Sequence, residues 1–436
     1  MIAPSPSPSP SRRGVIRAIT AGAAAALWPA TVAGARSPVI APAVRLRRGV
    51  NLWPWFSLTR EFPPPRTDYD WPPLQADRPV PTRGDLAALR AAGIDFVRLP
   101  VDPGPLLAFA GERRAALLAQ VMGAIETAIA EDLAVVLNLH PNGATHYWTP
   151  RNLMRGPADP MFARYLDLVA VVAARLDRMD PSRVAFEPLN EPPQDCTSAD
   201  WPALQLRMVR AARGAAPRHT LILTGACGSM IAGLEALQPI DDPNIIYTFH
   251  FYEPYVFSHQ GAPWMMTSEP MYRYLNAVPW PASAGAKATT LAAVADRMAR
   301  DQSTPPAAKR ETAAQIARVL DQYFDARPDR WFIEKYMRRV TAWARSHAID
   351  PGCILLGEFG ALRSDARYVA ARPDDRARYI RDVREVAEAA GFAWAFWNYF
   401  DGMGLTIDDA SRAFDPSITA ALGLRPPEAA GAQDRR

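Results

Sequence analysis

The chain has 436 residues, 49% hydrophobic and 22% charged. That balance belongs to globular proteins and excludes a collagen-like or wholly disordered chain. The body holds no apolar run of the ~18 residues needed to cross a bilayer, which excludes a multi-span membrane protein. Lys and Arg number 49 against 45 Asp and Glu, for a net charge of +4. No basic stripe marks a nucleic-acid partner.

In chain order, residues 1–11 are a Ser-Pro repeat, followed by Arg12-Arg13 and an Ala-rich apolar run from Ala18 to Ala33. Ala33-Gly34-Ala35 supplies the small residues of a signal-peptidase site. This arrangement resembles a twin-arginine export signal. Residues 1–35 are therefore read as a signal peptide. The mature chain is expected from near Arg36, periplasmic or secreted, with no membrane attachment once the signal is removed. Residues 426–436 read as a disordered tail, and residues 36–425 as one domain.

Eight apolar runs alternate with helical patterns through that domain: 48–52, 94–99, 133–140, 184–191, 220–224, 245–252, 354–358 and 392–398. They are β-branched, aromatic and nearly continuous in apolar character, as strands buried on both faces are. The spacing predicts helices over 85–93, with Asp85 as cap and Gly93 as stop, and over 114–132, 161–179 and 366–390. Strand then helix, eight times over, is the order of an α/β fold of the (β/α)8 TIM-barrel type. No GxGxxG follows the first run, which disfavours a doubly wound sheet. The sixth connection, Glu253 to Pro351, is too long for a plain loop. It is read as an insertion over about 255–350, with a helix at 310–324. Cys196, Cys227 and Cys353 form no CxxC, which argues against a zinc site. One disulfide is possible, its pairing open.

Polar side chains fall at the C-terminal ends of these runs, where a barrel builds its active site. They are Arg98, His140, Asn190 with Glu191, His250 with Tyr252, Glu358 and Trp397. Burying such groups is costly unless they are partnered. Two carboxylates across one mouth suit glycoside hydrolysis, which needs a protonated acid and an ionised carboxylate. Arg98 and Tyr252 are expected to hold Glu358 ionised, and an apolar setting near Pro192 and His250 to raise Glu191. Asn190 would bond a sugar 2-hydroxyl, and Trp397 would stack on a pyranose. Trp148 and Trp264 are candidate sugar platforms in aromatic-rich loops, with loop packing as the competing role. Glu187 lies four residues before Glu191 and reads as a deep structural carboxylate. His140 and His250 lack metal-ligand spacing, so no metal is expected.

Phe186-Glu187-Pro188-Leu189-Asn190-Glu191-Pro192 resembles the acid/base signature of glycoside hydrolase family 5, the cellulase family. Leu356-Gly357-Glu358-Phe359-Gly360 is similar to that family's nucleophile strand. Arg98, His140, His250, Tyr252 and Trp397 match positions where the family keeps the same residue types. The resemblance covers about residues 45–410, thinly inside the insertion. It implies a retaining double displacement with Glu358 as nucleophile and Glu191 as acid/base, with no metal or organic cofactor. The carboxyls should then sit about 5–5.5 Å apart. The implied substrate is a β-glucan polysaccharide or oligosaccharide, and family prevalence points to an endo-β-1,4-glucanase. A β-mannanase and an exo-β-1,3-glucanase or β-glucosidase are the alternatives within the family. A non-catalytic carbohydrate-binding barrel is the alternative of another class, disfavoured by the presence of both carboxylates. No assembly signal appears, so a monomer is expected.

Overall fold

The computed structural model describes residues 42–265 and 269–426; the proposed signal peptide and residues 427–436 of the proposed tail lie outside them. Eight strands close into a barrel: β1 (Arg48–Asn51), β2 (Phe96–Val101), β3 (Ala134–Leu139), β4 (Val184–Glu187), β5 (Thr220–Thr224), β6 (Ile245–His250), β7 (Ile354–Glu358) and β8 (Ala393–Phe396). Every neighbouring pair is parallel. With helices between the strands, this is the (β/α)8 barrel that the alternation predicts. β5 and β7 have the expected bounds. β2 runs on to Val101, so Arg98 sits in mid-strand rather than at its end. β4 stops at Glu187, so Asn190 and Glu191 belong to the following loop.

Helix ends follow their capping chemistry. Helix α1 (Arg83–Ala92) is capped by Thr82, whose hydroxyl accepts from the Asp85 amide at 3.2 Å. The Asp85 carboxylate returns the bond to the Thr82 amide at 2.7 Å. Asp85 is thus the third helical residue of a capping box and not the cap itself. Gly93 ends the helix at φ 107°, a conformation that favours glycine.

Strand alternation sorts the barrel interior into layers. The lower layer is apolar: Phe96, Val136, Ala185, Ile222, Ile246, Leu355 and Ala395, joined by Val44 and Leu46 from the segment before β1. Two residues further along β2, β3 and β4 the inward side chains become Arg98, Asn138 and Glu187, all fully buried. Gly49 makes room for the lower layer. A Cβ there would lie 2.3 Å from the Phe96 ring.

The segment after β6 contains helices α2 (Lys287–Arg300), α3 (Pro306–Ala326) and α4 (Arg330–Ser346). α4 packs against the helix Ile231–Ala236 on one side and α5 (Pro373–Ala389) on the other. The Trp343 indole donates to Leu237 O at 3.0 Å. That is the place of the barrel's own sixth helix, so the insertion proper ends before Arg330. Its remainder leans on α5, where the Trp280 indole donates to Asp382 at 2.9 Å. A short antiparallel ribbon, Thr59–Glu61 with Tyr69–Leu74, follows β1.

Candidate active site

Arg98 organises the mouth of the barrel. Its Nε and Nη2 donate to the two Glu187 oxygens at 2.7 and 2.9 Å. Nη1 donates to Glu358 Oε1 and to Asn51 Oδ1, both at 2.8 Å. Nη2 also donates to Asn190 Oδ1 at 2.7 Å. All five N–H groups of the guanidinium are therefore used. Burial alone would lower the Arg98 pKa, but Glu187 and Glu358 outweigh it and keep the group charged. Glu187 sits on β4 with no exposure, the deep carboxylate that its spacing suggests.

Because Arg98 takes Asn190 Oδ1, the Asn190 amide turns its Nδ2 to His140 Nε2 at 3.2 Å. That ring nitrogen must accept, so the proton lies on Nδ1, which donates to Asn138 Oδ1 at 3.0 Å. Desolvation, Arg98 and His250 hold the His140 pKa well below 6.5, so the ring is neutral. Asn51 and Asn138 complete this network without any motif to mark them. Each is an isolated Asn inside or beside an apolar run, and only the inward register of the run marks it.

Glu358 ends β7. Besides Arg98 it accepts from the Tyr252 hydroxyl on Oε2 at 3.0 Å. Burial pushes its carboxyl above the ordinary value; His250, Arg98 and Tyr252 oppose that, and Glu191 adds to it. The expected partners are in place, but they counter the effect of burial rather than depress the carboxyl. Glu191 follows β4 at φ 42°, and its side chain is 42% exposed. The apolar setting expected around it is absent, because the loop lifts the carboxylate to the open mouth. Instead it bonds His250 Nδ1 at 2.8 Å, while Glu358 Oε2 lies 3.5 Å from the same nitrogen. Desolvation would lower the His250 pKa; Glu358 and Glu191 outweigh it and raise it. The ring lies against Gly357, where a Cβ would come 2.6 Å from Thr248 Oγ1 and 3.2 Å from His250 Nε2.

Ligand atoms of Glu191, His250 and Glu358 all lie within 4.8 Å of one another, a group near enough to share a cation. Arg98, Tyr252 and the Glu191–His250 bond already engage those atoms.

Trp397 is half-buried. Its ring stacks on His140 at 5.7 Å and tilts toward Trp53 at 6.3 Å. Trp264 is 53% exposed and meets His259 edge-on, which in turn stacks on Tyr255 beside Tyr252. Trp148 is a correction. It is 2% exposed, its indole donates to Thr67 O at 2.7 Å, and Arg164 covers its ring. Aromatic density does not tell a platform from a packed loop side chain, and Trp148 is the latter. Asp401, in the loop after β8, accepts from the Tyr368 hydroxyl at 2.9 Å. The open cysteine pairing resolves as Cys196–Cys227, with Cys353 free.

The chain matches the profile described as "Cellulase (glycosyl hydrolase family 5)" over residues 74–402. It is 29% identical over 243 residues to endoglucanase C of Acetivibrio thermocellus, covering 55% of this chain and 66% of that protein. It is 26% identical over 231 residues to endoglucanase 3 of Fibrobacter succinogenes, covering 52% and 31%. The matches thus span less than two thirds of either relative. The crystal structure of cellulose synthase subunit Z from Clostridioides difficile shares the fold, with TM-score 0.60 and 22% identity over 87% of this chain and 99% of that one.

Proposed function

Because the chain belongs to the cellulase family, glycosyl hydrolase family 5, we propose that it is an exported retaining β-glycosidase that cleaves β-1,4-glucan internally. In this reading Glu358 is the nucleophile and Glu191 the acid/base. The observation that carries it is the approach of the two carboxylates within 4.8 Å, with His250 Nδ1 between them. Carboxylate oxygens that approach so closely favour the short spacing of a retaining pair, about 5–5.5 Å, over the roughly 6.5–9.5 Å of an inverting one.

Glu358 attacks the anomeric carbon while the Glu191 carboxyl gives its proton to the leaving oxygen. The glycosyl-enzyme is then hydrolysed by a water that Glu191 deprotonates. Arg98 and the Tyr252 hydroxyl hold the nucleophile's oxygens, and their bonds favour its ionised form. Glu191 regains its proton from that water, and His250 Nδ1, bonded to Glu191 at 2.8 Å, holds the carboxyl in place for both steps. The second Nδ2 hydrogen of Asn190 is free to meet the sugar 2-hydroxyl. Trp397 walls the site on one side, and Trp264 offers an exposed face on the insertion. The relatives' names support glucan and endo action. The leader-like N-terminus and the Cys196–Cys227 bridge support export, because disulfides persist outside the cytoplasm.

The test is reducing-sugar release from carboxymethylcellulose, β-mannan and β-1,3-glucan by wild type, Glu191→Gln and Glu358→Gln. Release from carboxymethylcellulose is expected, with a fall of roughly 10²–10⁴-fold in Glu191→Gln and a larger one in Glu358→Gln. Activity that survives in Glu358→Gln overturns the nucleophile, and release from mannan alone overturns the substrate.

A further inference from the structure

Two loops meet beside Glu191. One leaves β4 and carries Glu191-Pro192-Pro193-Gln194-Asp195-Cys196; the other leaves β5 and carries Cys227-Gly228-Ser229. Cys196 and Cys227 join them, 31 residues apart in sequence. Between that bridge and Glu191 the backbones are zipped together. The Cys227 amide donates to Gln194 O at 2.8 Å, and the Gly228 amide to Pro192 O at 2.9 Å. The next carbonyl, that of Ser229, accepts from the His250 amide at 2.8 Å, and His250 Nδ1 reaches back to Glu191. The contacts close a ring through Glu191, Pro192, Gly228, Ser229 and His250. The backbone is left-handed at Glu191 (42°) and Ser229 (58°) within this ring and at the adjoining bridge residue Cys227 (50°). Residues other than glycine rarely adopt such angles and keep them only where their surroundings enforce them.

We propose that the Cys196–Cys227 disulfide is a positioning element for the Glu191–His250 pair, so that the site works at full rate only in the oxidised chain. The proposal rests on Glu191 being the acid/base. The bridge forms by thiol–disulfide exchange: both cysteines give up their protons, a sulfur–sulfur bond forms, and the two electrons reduce the disulfide of an oxidant protein to its dithiol. Oxidants of that class act outside the cytoplasm. A chain still in the cytoplasm is therefore the slower form, and export completes the site.

The test compares wild type with the Cys196→Ser/Cys227→Ser double variant and with wild type treated with a trialkylphosphine. The phosphine cleaves the bridge to two thiols and becomes its oxide, with oxygen and protons from water. Cys353→Ser controls for the free thiol, and Glu191→Gln is the reference. The first readout is the pre-steady-state burst with 2,4-dinitrophenyl β-cellobioside, whose leaving group needs no acid. The second, which needs no turnover, is the ¹⁵N titration of the His250 imidazole. That ring faces Glu191 on the β4 loop, Glu358 on β7, Arg98 on β2 and His140 after β3, and the Tyr252 hydroxyl bonds the same Glu358 oxygen that it approaches.

Without the bridge the burst should persist, the later steady-state rate should fall about 10–100-fold, and the His250 midpoint should move down as the Glu191 contribution is lost. Glu191→Gln should show the same pattern more strongly. If Glu191→Gln moves neither readout, the acid/base assignment fails. If Glu191→Gln moves both and the bridge-free proteins move neither, the positioning proposal is overturned. If the burst itself collapses together with the near-ultraviolet circular dichroism, the bridge only holds the fold, and the proposal is likewise overturned.

Discussion

The lower and upper layers of the barrel interior are built on the same strands, one inward step apart, yet they are held by different forces. Phe96, Val136 and Ala185 need no hydrogen bonds; removal of their apolar surface from water suffices. Arg98, Asn138 and Glu187 are equally buried, and each is held in place by a named partner. A buried ion pair contributes little net stability, but losing one partner is expensive because the other charge is stranded. The lower layer therefore tolerates change in proportion to volume, whereas the upper layer stands or falls as a unit. Orientation at the mouth is paid for by that unit, which rests on the apolar layer beneath.

The sharpest way to break this contrast is Arg98→Met. It leaves Glu187 buried without a counter-charge and should cost about 3–5 kcal/mol in urea unfolding. Glu358 and Asn190 lose their common donor at the same time, so kcat should fall by roughly 10²-fold or more. A variant as stable as wild type would show that the upper layer is not an ion-paired unit. Phe96→Ala should cost a comparable 3–5 kcal/mol or so, but the pH profile of its remaining activity should match wild type. A displaced profile would mean that the layers cannot be separated.

Asp102 extends the comparison to a buried acid with no cationic partner among the described residues. It follows β2 directly, caps the short helix after it, and accepts from the Gly104 amide at 2.8 Å and the Thr59 hydroxyl at 3.1 Å. Burial raises its pKa to about 7, against those two bonds. The folded chain thus holds this proton more tightly than the unfolded one. Stability from this group is full below ~4, the usual carboxyl range, and is lost as pH rises through about 7. Asp102→Asn should therefore stabilise the protein at pH 8 by up to about 4 kcal/mol, at ~1.4 kcal/mol per unit, with the gain vanishing near pH 4. Equal thermal midpoints for the two proteins at pH 8 would refute it.

What was legible in the sequence was what periodicity and motif record. The eight runs located the strands because both faces of each are buried. Glu191 and Glu358 stood out because a charged residue at the end of such a run is costly. Asn51 and Asn138 escaped because a neutral amide in an apolar run resembles an ordinary tolerated residue; only the three-dimensional neighbour, Arg98 or His140, gives it a role. Trp148 misled because exposure is set by loop packing, which one-dimensional order does not encode. Pro328-Asp329 does mark the start of α4, whose Trp331 amide donates to the Asp329 carboxylate, but membership in the helical ring is a tertiary fact that such a cap does not encode. Among three cysteines, spacing alone allows three pairings, and only the approach of two loops selects Cys196 with Cys227.

The pairing of Gly49 with Phe96 bears on how this chain can vary. The two residues face each other across β1 and β2, and the aromatic ring fills the space a side chain at 49 would need. Substitution at 49 alone is closed, and shrinkage at 96 alone leaves a void. Only joint replacement, larger at 49 and smaller at 96, conserves volume. Site-saturation libraries that vary one position at a time will report both as intolerant, while the productive route between sequences runs diagonally through the pair.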